Sequence, residues 1–177
     1  MVEIKAQLTI QYLASFIFFI GLVVLVYLAY SANIPRFVQD VEKENTYSKA
    51  YQLSEILVND PGHPRNWNDI DDNTFKRLGL SDENLNKTNL ISYDKVRELA
   101  SKNCNNNNEF RLIQDKLAMN RSFSIFIFNI TENGNREPLV TCTSSIFPKE
   151  AINVTVKRIT AFNKDGKIGL AEIIIQM

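Results

Sequence analysis

The pattern of apolar and polar residues divides the chain into one long apolar segment and a mixed region after it. No Asp, Glu, Lys or Arg occurs from Ala6 to Pro35, a run of 30 residues whose centre is almost wholly aliphatic or aromatic. About 20 apolar residues of helix cross a bilayer core. A secretory signal peptide has a shorter apolar stretch, followed by a small-residue cleavage site. The segment therefore predicts a single membrane-spanning helix.

Apolar residues continue at helical spacing beyond this segment, in two stripes. The first stripe consists of Ile34, Phe37, Val38 and Val41, and the second of Tyr47, Ala50, Tyr51, Ser54, Leu57 and Val58. At 100° per residue the two stripes point to roughly opposite sides. Either the helix breaks near Asn45-Thr46, or one continuous helix presents two faces to two partners. The absence of Gly and Pro between Arg36 and Asp60 favours continuity.

The remainder of the chain predicts a mixed head. The turn residues of Asp60–Pro64 end the long helix, and a polar loop follows around the single Trp67. The predicted elements after it are short amphipathic helices over 93–102 and 109–119, a strand beginning near 123 that is apolar on both faces, and strands over 139–145, 153–162 and 167–175. Asp165-Gly166 is a hairpin signal. The predicted fold class is α+β, a lollipop in which a long N-terminal membrane-spanning helix carries a small helical segment and an antiparallel β-sheet head.

Composition excludes several classes of function. Twenty Lys+Arg balance twenty Asp+Glu, so the chain lacks the basic excess of a nucleic-acid-binding protein. Two cysteines and one histidine give no zinc spacing and little basis for histidine catalysis. No GxSxG, HExxH, P-loop or GxGxxG motif occurs. We therefore expect no enzyme activity, no catalytic residue, no metal and no cofactor.

The acidic segment Asp69–Asn73 has alternating Asp and Asn oxygens of the kind that calcium prefers. An EF-hand loop would need Gly at the position of Thr74 and Glu at the position of Leu80, and both are missing. A solvated acidic loop is therefore the favoured interpretation of this segment.

Two features suit an extracytoplasmic head. Cys104 and Cys142 allow one disulfide in an oxidising compartment, or else two small buried side chains, and the sequence does not decide between them. N-x-S/T sequons, which can accept N-linked glycans, occur at Asn86, Asn120, Asn129 and Asn153.

The first residues have a distinctive order: Lys5, the small residue Ala6, then Gln7-Leu-Thr9 running directly into the apolar segment. This order resembles the class III signal peptide of archaeal type IV pilins and pilin-like proteins. The segments 61–67 and 77–80 are also similar to parts of archaeal pilin-like surface proteins. The resemblance implies that prepilin peptidase cleaves the Ala6–Gln7 bond, so that the leader stays cytoplasmic while the apolar helix remains in the mature protein.

The resemblance also implies an organisation and a set of partners. It gives a leader over 1–6, an assembly helix and spine over 7–58, and an extracytoplasmic head over 59–177. The partners would be other pilin subunits through the N-terminal helix, prepilin peptidase with the pilus assembly machinery, and the membrane, with no nucleic acid. The protein would span the membrane once before assembly and belong to a cell-surface filament, with a role such as adhesion, afterwards.

One position departs from the family. Pilins usually carry Glu five residues into the mature chain, where this sequence has Gln11. A carboxylate there can pair with a neighbouring subunit's amino terminus, whereas Gln cannot neutralise that charge. The departure favours a minor or accessory subunit. The alternatives are an archaellin-like subunit, a membrane-anchored binding or sensor module that does not polymerise, and, least favoured, an anchored hydrolase.

Overall fold

One helix dominates the N-terminal part of the chain. The computed structural model describes residues 2–71, 74–82, 87–102, 104, 106–143 and 154–177, with side chains from residue 10 onward. Helix α1 runs without interruption through Val2–Asn59, 58 residues with Pro35 inside it. Of the two arrangements that the sequence allowed, the continuous helix is therefore the one observed.

The elements after α1 form an α+β arrangement, which confirms the predicted fold class. In chain order they are a 3-10 turn Trp67–Asp69, β1 Leu90–Ser92, α2 Tyr93–Ser101, α3 Asn107–Lys116, β2 Ser124–Ile130, β3 Arg136–Thr143, β4 Thr155–Lys164 and β5 Lys167–Gln176. The five strands form one sheet in the order β1-β4-β5-β2-β3. The sheet is mixed rather than antiparallel throughout, because β1 pairs in parallel with β4.

The structure divides into two compact units, Met1–Glu44 and Asn45–Met177, which we call the N-terminal unit and the head. The last turns of α1 therefore belong to the head. Their buried side chains recur at helical spacing and are Thr46, Ala50, Leu53, Ser54, Leu57 and Val58. Tyr47 and Tyr51 of the second stripe do not belong to this buried set and are 52% and 48% exposed.

The core of the head lies on one face of the sheet. Ile125 and Ile127 on β2 pair with Ile175 and Ile173 on β5, and all four are fully buried. They belong to one apolar cluster with Ala50, Leu53 and Leu57 of α1. Burial of a large aliphatic side chain contributes about 1.5–3 kcal/mol, so the sheet and the end of α1 stabilise each other.

Two turns follow directly from their residues. Asp165 and Gly166 have φ of 52° and 80°, the positive values that a two-residue hairpin between β4 and β5 requires. Trp67 is 1% exposed, and its Nε1 donates a hydrogen bond of 2.7 Å to the Gly79 carbonyl. A Cβ at Gly79 would lie 2.1 Å from the Asp60 carbonyl oxygen, so only glycine fits there. The loop after α1 is thus held by one anchoring aromatic, as predicted.

Candidate functional site

Among the described residues, the most extensive exposed apolar surface is on the apolar part of α1. Every large apolar side chain described between Ile10 and Tyr30 is exposed, from 44% at Ile20 to 74% at Tyr12 and Phe18. The most apolar window of α1 has a mean hydropathy of 2.5, and none of it is buried. By length and composition α1 is able to cross a membrane. Its apolar surface needs an environment outside this chain, either lipid or other chains.

The residues predicted for leader processing lie at the start of this helix. The backbone is helical from Val2, so the Ala6–Gln7 bond falls inside a helical segment. The side chains of Lys5, Ala6, Gln7 and Thr9 lie outside the described part of the structure. Gln11 is described and is exposed on the apolar helix.

A second exposed apolar surface follows on α1, beginning at the end of the run without charges. It consists of Ile34, Phe37, Val38 and Val41, which we call the stem stripe. These side chains are 44% to 70% exposed. Charged residues lie around this stripe, so this part of α1 is amphipathic, whereas the preceding segment has no charged face.

Polar contacts fix the end of α1 in the head. Glu55 Oε1 pairs with Arg158 Nη1 of β4 at 2.7 Å. The Arg158 guanidinium beside Glu55 holds the pKa of that carboxyl below its usual value of 4.5, since the charged form gains a hydrogen bond. Arg121 Nη1 donates to Thr46 Oγ1 at 3.0 Å, and the Asn89 backbone N–H donates to Asn59 Oδ1 at 3.2 Å. No local pattern in the sequence predicts these contacts, which join residues between 30 and 103 positions apart.

The two cysteines form a disulfide in the structure. Cys104 and Cys142 have Cα atoms 5.0 Å apart, and both side chains are buried. The bond links the segment between α2 and α3 to the edge strand β3. It closes a loop across 38 residues of sequence and thereby fastens the helical part of the head to the sheet.

The four sequons differ in accessibility. Asn120 is exposed after α3, whereas Asn129 lies partly buried in β2, where its Nδ2 donates to Glu137 Oε2 at 3.3 Å. Asn86 and Asn153 lie outside the described residues. Asn120 is therefore the sequon whose described surroundings best admit a glycan.

The acidic segment is only partly described. Asp69 and Asp71 are exposed, and residues 72–73 lie outside the described ranges. Within the described ranges no group of three His, Cys, Asp or Glu side chains is arranged to hold a metal ion. A polar cleft nearby includes Asp69, Asp82 and the buried Lys95. The Lys95 ammonium donates to the carbonyls of Pro61 and Ser81 at 2.8 and 3.2 Å, so it stabilises the turn after α1.

The sheet carries apolar residues on the face opposite the core as well. Register places Phe126 beside Ile174, and Ile130 beside Leu170. Ile159, Ile168 and Leu170 are 66%, 62% and 51% exposed. The apolar residues on both faces of the predicted β2 were the sequence signal for this surface, but the register that extends it onto β4 and β5 was not predictable.

Comparison of the chain with protein-family models, with curated proteins and with solved structures finds no match.

Proposed function

We propose that this chain is a pilin-like structural subunit, minor or accessory, of an archaeal type IV pilus-like surface filament. The observation that carries the proposal is Lys5 directly before a 30-residue run without charges that begins with Ala6 and Gln7. The exposed apolar surface of α1 supports it, because such a helix suits both a bilayer and a bundle of like helices.

The proposed assembly step moves α1 from lipid into contact with other subunits. Before assembly the apolar side chains face acyl chains, and afterwards they face the corresponding helices of neighbours. Association in an apolar medium depends on close packing, which small residues such as Ala14 and Gly21 permit. A Cβ built on Gly21 meets no atom within 4 Å, so this surface is open for an approaching helix.

Gln11 supports the accessory role. Cleavage after Ala6 would leave a charged amino group on Gln7, four residues before Gln11 on the same helix. A side-chain amide can accept a hydrogen bond from a neighbouring amino group but carries no charge to balance it. A filament made only of this chain would therefore bury a poorly compensated charge in each subunit.

The head would form the outer part of the filament, where adhesive contacts and glycans are placed. The Cys104–Cys142 disulfide suits an oxidising exterior, and the exposed Asn120 offers an acceptor site for a glycan. No cofactor, metal or catalytic group is part of this proposal.

The experiment is N-terminal sequencing and intact-mass analysis of the chain from its native membrane and from sheared surface filaments. We expect a mature chain that begins at Gln7 in both fractions. Ala6→Ile should block processing and remove the chain from the filament fraction, because a bulky residue replaces the small one before the cleaved bond. Ala32→Ile, an equivalent change at an exposed position of α1, should leave processing intact.

A chain that begins at Met1 or Val2 in the surface fraction would overturn the proposal. The protein would then be treated as a single-pass anchored binding or sensor module that does not polymerise.

A further inference from the structure

The outer sheet face is an apolar surface with a charged pair in its middle. We define this face by Phe126, Phe128, Ile130, Ile159, Leu170 and Ile174, which the strand register places on the side opposite the core. Between Phe128 and Ile159 lies Glu172, whose Oε1 accepts a hydrogen bond of 3.2 Å from Arg136 Nη2 and whose Oε2 forms an ion-pair contact of 2.9 Å with Arg136 Nε. The central carboxylate is thus already neutralised, which leaves the face apolar with a basic margin.

That basic margin includes Lys157. Lys157 is exposed on β4 directly beside Ile174 of β5 and two residues before Ile159. Within the described part of the chain no carboxylate pairs with it. The outer sheet face therefore combines exposed aliphatic surface with one uncompensated positive charge.

The stem stripe has the complementary character. At about 100° per residue, Glu44 and Asp40 lie roughly 60° and 100° from Val41 on one flank of the stripe, and Glu42 lies about 100° away on the other. The two basic residues of the segment, Arg36 and Lys43, lie about 140° and 160° from Val41, toward the reverse of the helix. The stripe is therefore an apolar strip with acidic flanks, and Asp40 and Glu44 are both exposed.

The dimensions of the two surfaces also match. From Ile34 to Glu44 the helix rises roughly 15 Å, at 1.5 Å per residue. The three neighbouring strands that carry the face, about 4.8 Å apart, give it a width of roughly 10 Å, and strands of seven or more residues give it a length of roughly 23 Å. A single helix segment of this length fits within the face.

We propose that the outer sheet face of one copy docks on the stem stripe of a second copy, with Lys157 opposite Asp40 and Glu44. This inference rests on the proposed function, since it presumes that copies meet in a filament. The contact joins two different surfaces and each copy carries one of each, so it is heterologous and can repeat along a filament. A subunit with both surfaces can bind a second copy of itself at the next position in the filament. Copies of this accessory subunit therefore occur in adjacent pairs or runs.

The direct test places a photo-crosslinking residue at Ile159 in the full chain, in sheared filaments. We expect crosslinks to residues 34–44 of a second copy, identified by mass spectrometry of the joined peptides. The same residue at Asn108, an exposed position on α3, should give no such product. Filaments that yield crosslinks only to a different protein, only to another head, or to nothing would overturn the inference.

A charge reversal tests the polar part of the contact. Lys157→Glu should lower the chain's abundance in filaments about fivefold or more, since a favourable pair becomes a repulsive one. Adding Glu44→Lys in the same chain should restore most of it. Lys167→Glu, the same change at the β4–β5 turn, should have little effect. Equal effects of Lys157→Glu and Lys167→Glu, or no recovery in the double variant, would contradict the inference.

The N-terminus of the chain is sequenced in every sample, which separates the two proposals. Processed chains in filaments without the predicted crosslink overturn the docking contact alone. Unprocessed chains, or an absence of filaments from the unsubstituted protein, overturn the proposed function and the contact with it.

Discussion

The two ends of α1 contain similar residues in opposite environments. Leu25 in the N-terminal unit is 67% exposed, whereas Leu57 in the head is fully buried. Leucine side chains at the two ends of one helix thus differ in what has to bury them. In the head the leucine is covered by the chain's own sheet, and in the N-terminal unit it needs a covering that the chain does not provide. The core of the head is therefore covered by the chain itself, whereas the apolar surface of the N-terminal unit has to be covered by its surroundings.

The polar contacts follow the same division. The head has a disulfide, the Glu55–Arg158 and Arg136–Glu172 ion pairs, and a buried hydrogen bond from Trp67. The charge-free run contains no Cys, Asp, Glu, Lys or Arg, so it can form neither a disulfide nor an ion pair. Stability of the head and partitioning of the helix should therefore respond to different substitutions.

The largest expected effect is on the head alone. Replacing both Cys104 and Cys142 by Ser should lower the free energy of unfolding of the head by about 4 kcal/mol, because the bond closes a loop of 38 residues. Urea unfolding in detergent, followed by fluorescence of the single buried Trp67, measures this change. Extraction from the membrane should stay as in the unsubstituted chain. A loss of membrane association would show that the two units are not independent in this respect.

The next largest effect on the stability of the head comes from comparing the same substitution at Leu57 and at Leu25. Leu57→Ala should destabilise the head by about 3 kcal/mol, since it removes buried methyl groups and leaves a cavity. Leu25→Ala should change the free energy of unfolding of the head by less than about 0.5 kcal/mol, because the side chain lies outside the core. Both are read by the same fluorescence measurement. Equal destabilisation by the two substitutions would refute the contrast between the units.

Sequence alone predicted the features that depend on local pattern. The charge-free run gave the long helix, and Asp165-Gly166 gave the hairpin, because both signals lie within a few neighbouring residues. The Asn106 side chain, which accepts from the Asn108 N–H at 3.0 Å, starts α3 two residues before the predicted helix. Asn106 is one of several neighbouring asparagines, each of which could cap a helix, so the sequence does not show which of them starts α3.

The features that sequence did not predict depend on distant residues. Strand β1 has three residues and exists through its parallel pairing with β4, about 70 positions later. The spacing of Cys104 and Cys142 gave no distance between them. For the candidate site, the apolar helix was predictable from the sequence and the leader stays a prediction, while the outer sheet face required the register of three strands.

The smallest predicted effect concerns the ion pair that holds the end of α1. The pKa of Glu55 is lowered from 4.5 in the folded head by Arg158. The folded state therefore releases this proton more readily than the unfolded state, so the carboxylate stabilises the head above pH 4.5. That contribution is lost as the pH falls through the lowered folded pKa. Because the Glu55 side chain is 37% exposed, solvent screens the pair, and we expect about 0.5 kcal/mol.

Glu55→Gln removes this titration while nearly keeping the side-chain shape. The difference in free energy of unfolding between the two chains should be constant at neutral pH and should shrink as the pH falls below 4.5. Glu132→Gln, at an exposed position in the β2–β3 turn, provides the control with no such pH dependence. A difference that grows on acidification would mean that the folded head favours the protonated form of Glu55. The ion pair would then not be what holds the end of α1 to β4, and apolar packing around Leu57 would have to account for that attachment.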